Sequence, residues 1–135
     1  MSTNTIDLGR DDFVGQVEDG LVLVDWWAEW CGPCKAFAPV YEKVAADHPE
    51  VTFGKVDTQR EPELAASFGI RSIPTLMIFR DGILLFSQAG MIPEAALRDV
   101  VQQAQALDMD EVRQKIADAE AGRGRGRRRP PAPAA

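Results

Sequence analysis

The sequence predicts an α/β protein, a central mixed β-sheet flanked by helices on both faces, with a C-terminal helical extension and a disordered tail. Three observations predict it. The run Leu21-Val22-Leu23-Val24-Asp25-Trp26-Trp27 is apolar without strict alternation, as in a strand buried on both faces. Strand-like and helix-like segments alternate along the first part of the chain, which implies parallel crossovers. Arg80-Asp81-Gly82 separates two short apolar runs and signals a hairpin, which adds antiparallel strands at one edge.

Each element has a local cause. Residues 5–8 form a short edge strand and residues 11–17 a short helix, broken at Gly20. After the strand at 21–27, residues 33–47 are helical, because Phe37, Val40, Tyr41 and Val44 recur on one helix face. Pro33 sits in the first turn, where its missing N–H costs little. Pro39 lies deeper and is expected to kink the helix, which stops at His48-Pro49. Residues 51–56 make the next strand, and residues 62–68 a short helix closed by Gly69. Strands at 75–79 and 83–86 flank the hairpin turn. A helix at 93–107 carries Leu97, Val100, Val101 and Ala104 on one face.

The character changes after Leu107. Asp108-Met109-Asp110-Glu111 resembles a capping box with aspartate in the serine position. Met109, Val112, Ile116 and Ala119 form a narrow apolar stripe up to Gly122. The remainder is rich in Gly, Arg, Pro and Ala with nothing to bury, and is expected to be disordered. The expected organisation is a domain at 1–107, an extra helix at 108–122 and a tail at 123–135.

Charge and length narrow the function classes. The 135 residues carry a net charge of −6, but five arginines lie between residues 123 and 129, so the rest of the chain stands at −11. An acidic body argues against nucleic acid as the main partner. The acidic first twenty residues give no secretory leader, and no segment is apolar enough to span a membrane, so a cytoplasmic protein is expected. A domain of this size buries a core without staples, so its two cysteines are not needed for stability. In such a compartment disulfides are usually transient and catalytic.

Both cysteines lie in Trp30-Cys31-Gly32-Pro33-Cys34-Lys35, between a strand and a helix. Cys31 falls at the helix N-terminus, where unpaired N–H groups and the helix dipole favour a thiolate. Cys34 lies one turn on, at a Cα separation of roughly 5 Å that a disulfide can bridge. Cys31 is therefore placed to attack a substrate disulfide, and Cys34 to resolve the mixed disulfide. Trp30 and Gly32 flank Cys31 on an expected exposed turn, and Gly32 lets another backbone approach closely. Asp25 interrupts a buried apolar strand; desolvation raises its pKa and suits it to take the Cys34 proton near pH 7. Lys55, in the next strand, is its candidate charge partner. The competing readings are weaker. A zinc site lacks ligands, since only His48 remains besides the two cysteines, and His48 is expected to be a surface residue. Asp25 can also be a structural carboxylate, and Lys55 a snorkelling lysine.

The chain resembles the thioredoxin family over about residues 5–107. The match rests on Val24-Asp25-Trp26-Trp27-Ala28-Glu29-Trp30-Cys31-Gly32-Pro33-Cys34-Lys35, on Phe68-Gly69-Ile70-Arg71-Ser72-Ile73-Pro74-Thr75-Leu76, on Arg80-Asp81-Gly82 and on Gly90. Phe37-Ala38-Pro39 and the stretch from Ile70 to Pro74 are similar to the bacterial thioredoxin-2 branch, without its N-terminal zinc region. Trp26 stands where phenylalanine is usual.

The resemblance implies a thioredoxin fold and a protein-disulfide reductase. It implies a cis Pro74 facing the cysteines and an Ile73 backbone that pairs with the substrate strand. Trp30, Gly32, Pro33, Pro74 and Gly90 would line an apolar docking surface, with Trp27 packed beneath the cysteines. Asp25 would be the buried base and Lys55 its neighbour, and Gly32 and Pro33 would tune the potential toward reduction. Electrons would come from NADPH through thioredoxin reductase, with no cofactor or metal bound to the chain. A monomer is expected, with disulfide-containing proteins as substrates. The alternatives are a disulfide isomerase or oxidase, and a thiol-independent, chaperone-like binding module using the same apolar surface.

Overall fold

A computed structural model describes residues 4–128, with side chains through residue 122. The described residues form five strands: β1 (Ile6–Asp7), β2 (Leu21–Trp27), β3 (Thr52–Asp57), β4 (Thr75–Arg80) and β5 (Ile83–Ala89). They make one sheet in the order β1-β3-β2-β4-β5. β1, β3 and β2 run parallel, whereas β2, β4 and β5 are antiparallel neighbours. The helices are α1 (Phe13–Val17), α2 (Gly32–Ala46), α3 (Pro62–Ser67), α4 (Glu94–Ala106) and α5 (Met109–Arg128).

The two-residue side-chain period of β2 divides the core. Leu23 faces α2 and α4, where it packs with Phe37, Tyr41, Val44, Leu97 and Val101. Val22, Val24 and Trp26 face the other way, against Phe13, Val17 and Leu64. Both faces of β2 are covered, so its apolar run needs no alternation. Asp25 shares the parity of Leu23 and therefore lies beneath α2. Trp26 is fully buried, with ring centroids 5.6 Å from Phe13 and 5.4 Å from Phe68.

The hairpin between β4 and β5 has a two-residue loop. Asp81 and Gly82 sit at φ 52° and 83°, both left-handed, as a type I′ turn requires. β5 runs three residues beyond the expected Phe86. Ser87-Gln88-Ala89 have little strand character of their own, but they pair with Met77, Leu76 and Thr75. Tertiary pairing overrides propensity here.

At Gly54, in β3, an added Cβ would lie 2.5 Å from Leu8 Cδ1 and 3.3 Å from the Leu23 carbonyl oxygen. Gly54→Ala is expected to destabilise the domain by about 1–2 kcal/mol through overpacking. A lower urea midpoint at unchanged slope is the expected result; an unchanged midpoint would mean that Leu8 moves aside freely.

The chain divides into two compact units, the first ending at Gln105 and the second beginning at Ala106. In the second, the Asp108 carboxylate accepts from the backbone N–H groups of Asp110 (3.0 Å) and Glu111 (3.3 Å), capping α5 as its sequence suggests. The helical assignment of α5 runs to Arg128, past the end at Gly122 that its apolar stripe suggests. Arginine is a good helix former, and extending an existing helix is far cheaper than nucleating one, so Gly122, Gly124 and Gly126 lower its stability without ending it. Residues 129–135 of the expected tail lie outside the described residues.

Candidate active site

The site is built at the C-terminal end of β2, where the chain turns into α2. Cys31 is the N-cap of α2 with extended backbone (φ −87°, ψ 113°), and its Sγ accepts the Cys34 N–H at 3.1 Å. Pro33 occupies the first turn and costs no hydrogen bond there. Pro39 lies inside the helix, as expected. Cys31 and Cys34 form a disulfide, with their Cα atoms 5.2 Å apart. Both are nearly buried, at 4% and 2% exposure, while the neighbouring Trp30 is 67% exposed. Gly32 and Pro33 are exposed on the same turn. The nearly buried cysteines therefore sit on a turn whose other residues, Trp30, Gly32 and Pro33, are exposed.

The loop before β4 closes the other side. The Ile73–Pro74 peptide bond is cis, as the resemblance implies. The Ile73 carbonyl oxygen lies 3.7 Å from Cys31 Sγ. Pro74 is buried and Ile73 half-buried, so Ile73 is the more accessible of the two. Gly90, at φ 91°, donates its N–H to the Pro74 carbonyl at 2.8 Å. This bond depends on the extended β5, which carries Gly90 back alongside Pro74.

Asp25 is 1% exposed, and neither carboxyl oxygen has a hydrogen-bond partner among the described residues. Burial pushes its carboxyl up to about 7, and the positive charge of Lys55 opposes that shift. Lys55 is the register partner of Asp25 across β2 and β3. Its ammonium lies over the Trp27 ring, 4.6 Å from the centroid, a cation–π contact. Trp27 is half-buried and packs with Ala28, Cys31 and Cys34.

Two features escape the sequence reading. Thr58 clamps the Trp27 carbonyl with its backbone N–H (2.9 Å) and its hydroxyl (3.1 Å). Its signal is positional: a residue just past the C-terminal end of a parallel strand, where α/β sites gather. The second is a shallow hollow of about 180 Å³ beside the cysteines, lined by Trp30, Thr58, Ile70, Arg71, Ser72 and Ile73. His48, the spare zinc candidate, instead sets Nδ1 2.9 Å from the Val44 carbonyl oxygen at the end of α2. Among the described residues, no cluster of His, Cys, Asp or Glu could hold a metal ion.

A disulfide-bonded cysteine pair on a helix N-terminus, backed by a buried carboxyl and faced by a cis-proline loop, belongs to the thiol–disulfide oxidoreductases acting on proteins. The sequence model of the family described as Thioredoxin matches residues 4–103. The chain belongs to the thioredoxin family. It is 56% identical over 119 residues to "Putative thioredoxin 2" of Streptomyces coelicolor, covering 87% of this chain and 89% of that one. It is 42% identical over 98 residues to "Thioredoxin" of Chlamydia muridarum, covering 73% of this chain and 96% of that one. Among solved structures, a point mutant of thioredoxin from Halobacterium salinarum NRC-1 superposes with a TM-score of 0.71 at 30% identity, over 80% of this chain and 97% of that one.

Proposed function

We propose that the protein is a general reductase of protein disulfides in the cytoplasm, re-reduced by thioredoxin reductase at the expense of NADPH. The observation that carries this reading is Cys31 at the N-cap of α2, its sulfur within 3.7 Å of the Ile73 carbonyl on the docking rim. The Cys31 thiolate attacks one sulfur of a substrate disulfide. That S–S bond breaks, a mixed disulfide forms on Cys31, and the first substrate sulfur leaves as a thiolate. The Asp25 carboxylate takes the Cys34 proton. The Cys34 thiolate then attacks Cys31 Sγ, the mixed disulfide breaks, and the second substrate sulfur leaves and is protonated. The substrate is reduced by two electrons and the cysteine pair is oxidised to the disulfide.

The remaining residues assist in stated ways. Trp30, Ile73 and Gly90 receive the substrate strand, with Pro74 supporting them from beneath. Trp27 backs the cysteines and holds the Lys55 ammonium, whose charge limits how far Asp25 rises. Gly32 and Pro33 keep the motif poised toward reduction. No described helix is long and apolar enough to cross a membrane.

Insulin reduction, driven by NADPH and a thioredoxin reductase, tests reaction and donor together. The expected result is catalytic insulin precipitation with stoichiometric NADPH loss. Precipitation with dithiothreitol but not with the reductase would leave the chemistry and reject the donor. No turnover with either would reject the reaction and favour a thiol-independent binding module.

A further inference from the structure

We infer that Tyr41, the single tyrosine of the chain, is a positioning residue for the buried proton acceptor, its hydroxyl standing over the β2–β3 seam where Asp25 resides. The inference deepens the reading of Asp25 as the base and rests on it.

Three observations locate the hydroxyl. Cys34, Phe37 and Tyr41 follow one another along the buried stripe of α2, and Asp25 lies beneath that helix. Tyr41 is fully buried and donates its hydroxyl to the Gly54 carbonyl at 2.8 Å. The Leu8 N–H reaches the Lys55 carbonyl at 2.8 Å, so the polar backbone groups of Lys55 face β1. Peptide groups alternate in direction along a strand, so those of Gly54, one residue earlier, face β2. Val24, the neighbour of Asp25, is the β2 register partner of Gly54. The tyrosine hydroxyl is therefore fixed on the carbonyl between the strand of Asp25 and that of Lys55.

This arrangement has a chemical consequence. The carboxyl oxygens of Asp25 have no donor of their own among the described residues. The Gly54 carbonyl points its negative dipole end toward the strand of Asp25, and the Tyr41 O–H partly cancels that end. Burial pushes the tyrosine hydroxyl well above its ordinary range, and Asp25 and then Glu42 push it further, so it acts only as a neutral donor. The charged group bearing on Asp25 is Lys55 from β3, while Glu42 on α2 bears on Tyr41; the β4 partner of Asp25, Leu76, carries no charge. His48, after α2, packs on Phe53, which itself touches Tyr41.

Because there is one tyrosine, growth on 3-fluorotyrosine places a single ¹⁹F label at Tyr41 with almost no change in shape. In the oxidised protein this resonance is expected to titrate with a midpoint near that of Asp25, and the titration is expected to vanish in Asp25→Asn. In Tyr41→Phe the Asp25 carboxyl, followed by ¹³C NMR, is expected to titrate about half a unit higher, the scale of one hydrogen-bond dipole. The resolving rate at pH 7 would fall roughly twofold to threefold, from the smaller fraction of carboxylate. A flat fluorine signal, or one unaffected by Asp25→Asn, would overturn the inference, and so would an unchanged carboxyl midpoint in Tyr41→Phe. If the coupling is present but Asp25→Asn leaves the resolving rate intact, the Tyr41 contact stands and the base role of Asp25 falls. Should Tyr41→Phe fail to fold, the fluorinated protein alone decides.

Discussion

Cys31→Ser is expected to lower disulfide reduction to the background of the assay, a loss on the order of 10⁴-fold or more, the scale for removing a covalent nucleophile. Cys34→Ser should behave differently. It retains the attacking sulfur and loses the resolving one, so it should complete one attack and accumulate a mixed disulfide with the substrate on Cys31. The asymmetry follows from position: Cys31 caps α2 beside the open rim, whereas Cys34 sits one turn inside with its N–H on the Cys31 sulfur. Circular dichroism should report intact folds for both variants, because the sulfurs are peripheral to the two main core clusters. Mass analysis of the trapped species checks the assignment. A covalent adduct in Cys31→Ser at the parental rate would reverse the roles of the two cysteines.

Asp25→Asn should make the protein more stable and less active at once. In the unfolded chain this carboxyl ionises at its ordinary value of 3.8, and in the folded chain at about 7. Between those values the folded state holds a proton that the unfolded state has lost. Stability attributable to Asp25 is therefore full below about pH 4 and is lost as pH rises to about 7. Above that it stands at a cost on the order of 4 kcal/mol. Asparagine removes the cost, so the variant should gain stability at pH 8, a Tm increase on the order of 15 °C, and gain almost nothing at pH 4. The resolving step should slow by about 10²-fold at neutral pH, because a positioned base is lost. Thermal unfolding at the two pH values and rapid-mixing kinetics measure the two halves. A stability gain with an unchanged resolving rate would make Asp25 a buried carboxylate without a part in the chemistry.

Much of this is legible in the chain because each signal is local. Two cysteines three apart after an apolar strand announce their chemistry through spacing alone. Asp25 stands out as an acid in a run that its neighbours require to be buried. What cannot be read depends on register. Nothing local to Gly90 shows that its N–H meets the Pro74 carbonyl; that follows from where β5 pairs with β4 and how far it continues. Thr58 reaches Trp27 only because β3 and β2 end side by side. The cis peptide at Pro74 is implied by family resemblance, not by the residues around it. At the C-terminus the apolar stripe that marks the last helix stops before Gly122, whereas α5 is assigned to Arg128.

The direction of electron flow is the central claim, and equilibrium with glutathione tests it most directly. Cys31 and Cys34 should be titrated in buffers of defined reduced and oxidised glutathione, with the disulfide fraction read by mass after thiol trapping. The expected potential is more reducing than the cytosolic glutathione pool, below roughly −260 mV. The dithiol would then pass electrons to protein disulfides in that compartment. A value between roughly −120 and −180 mV, the range of oxidases and isomerases, would contradict the account.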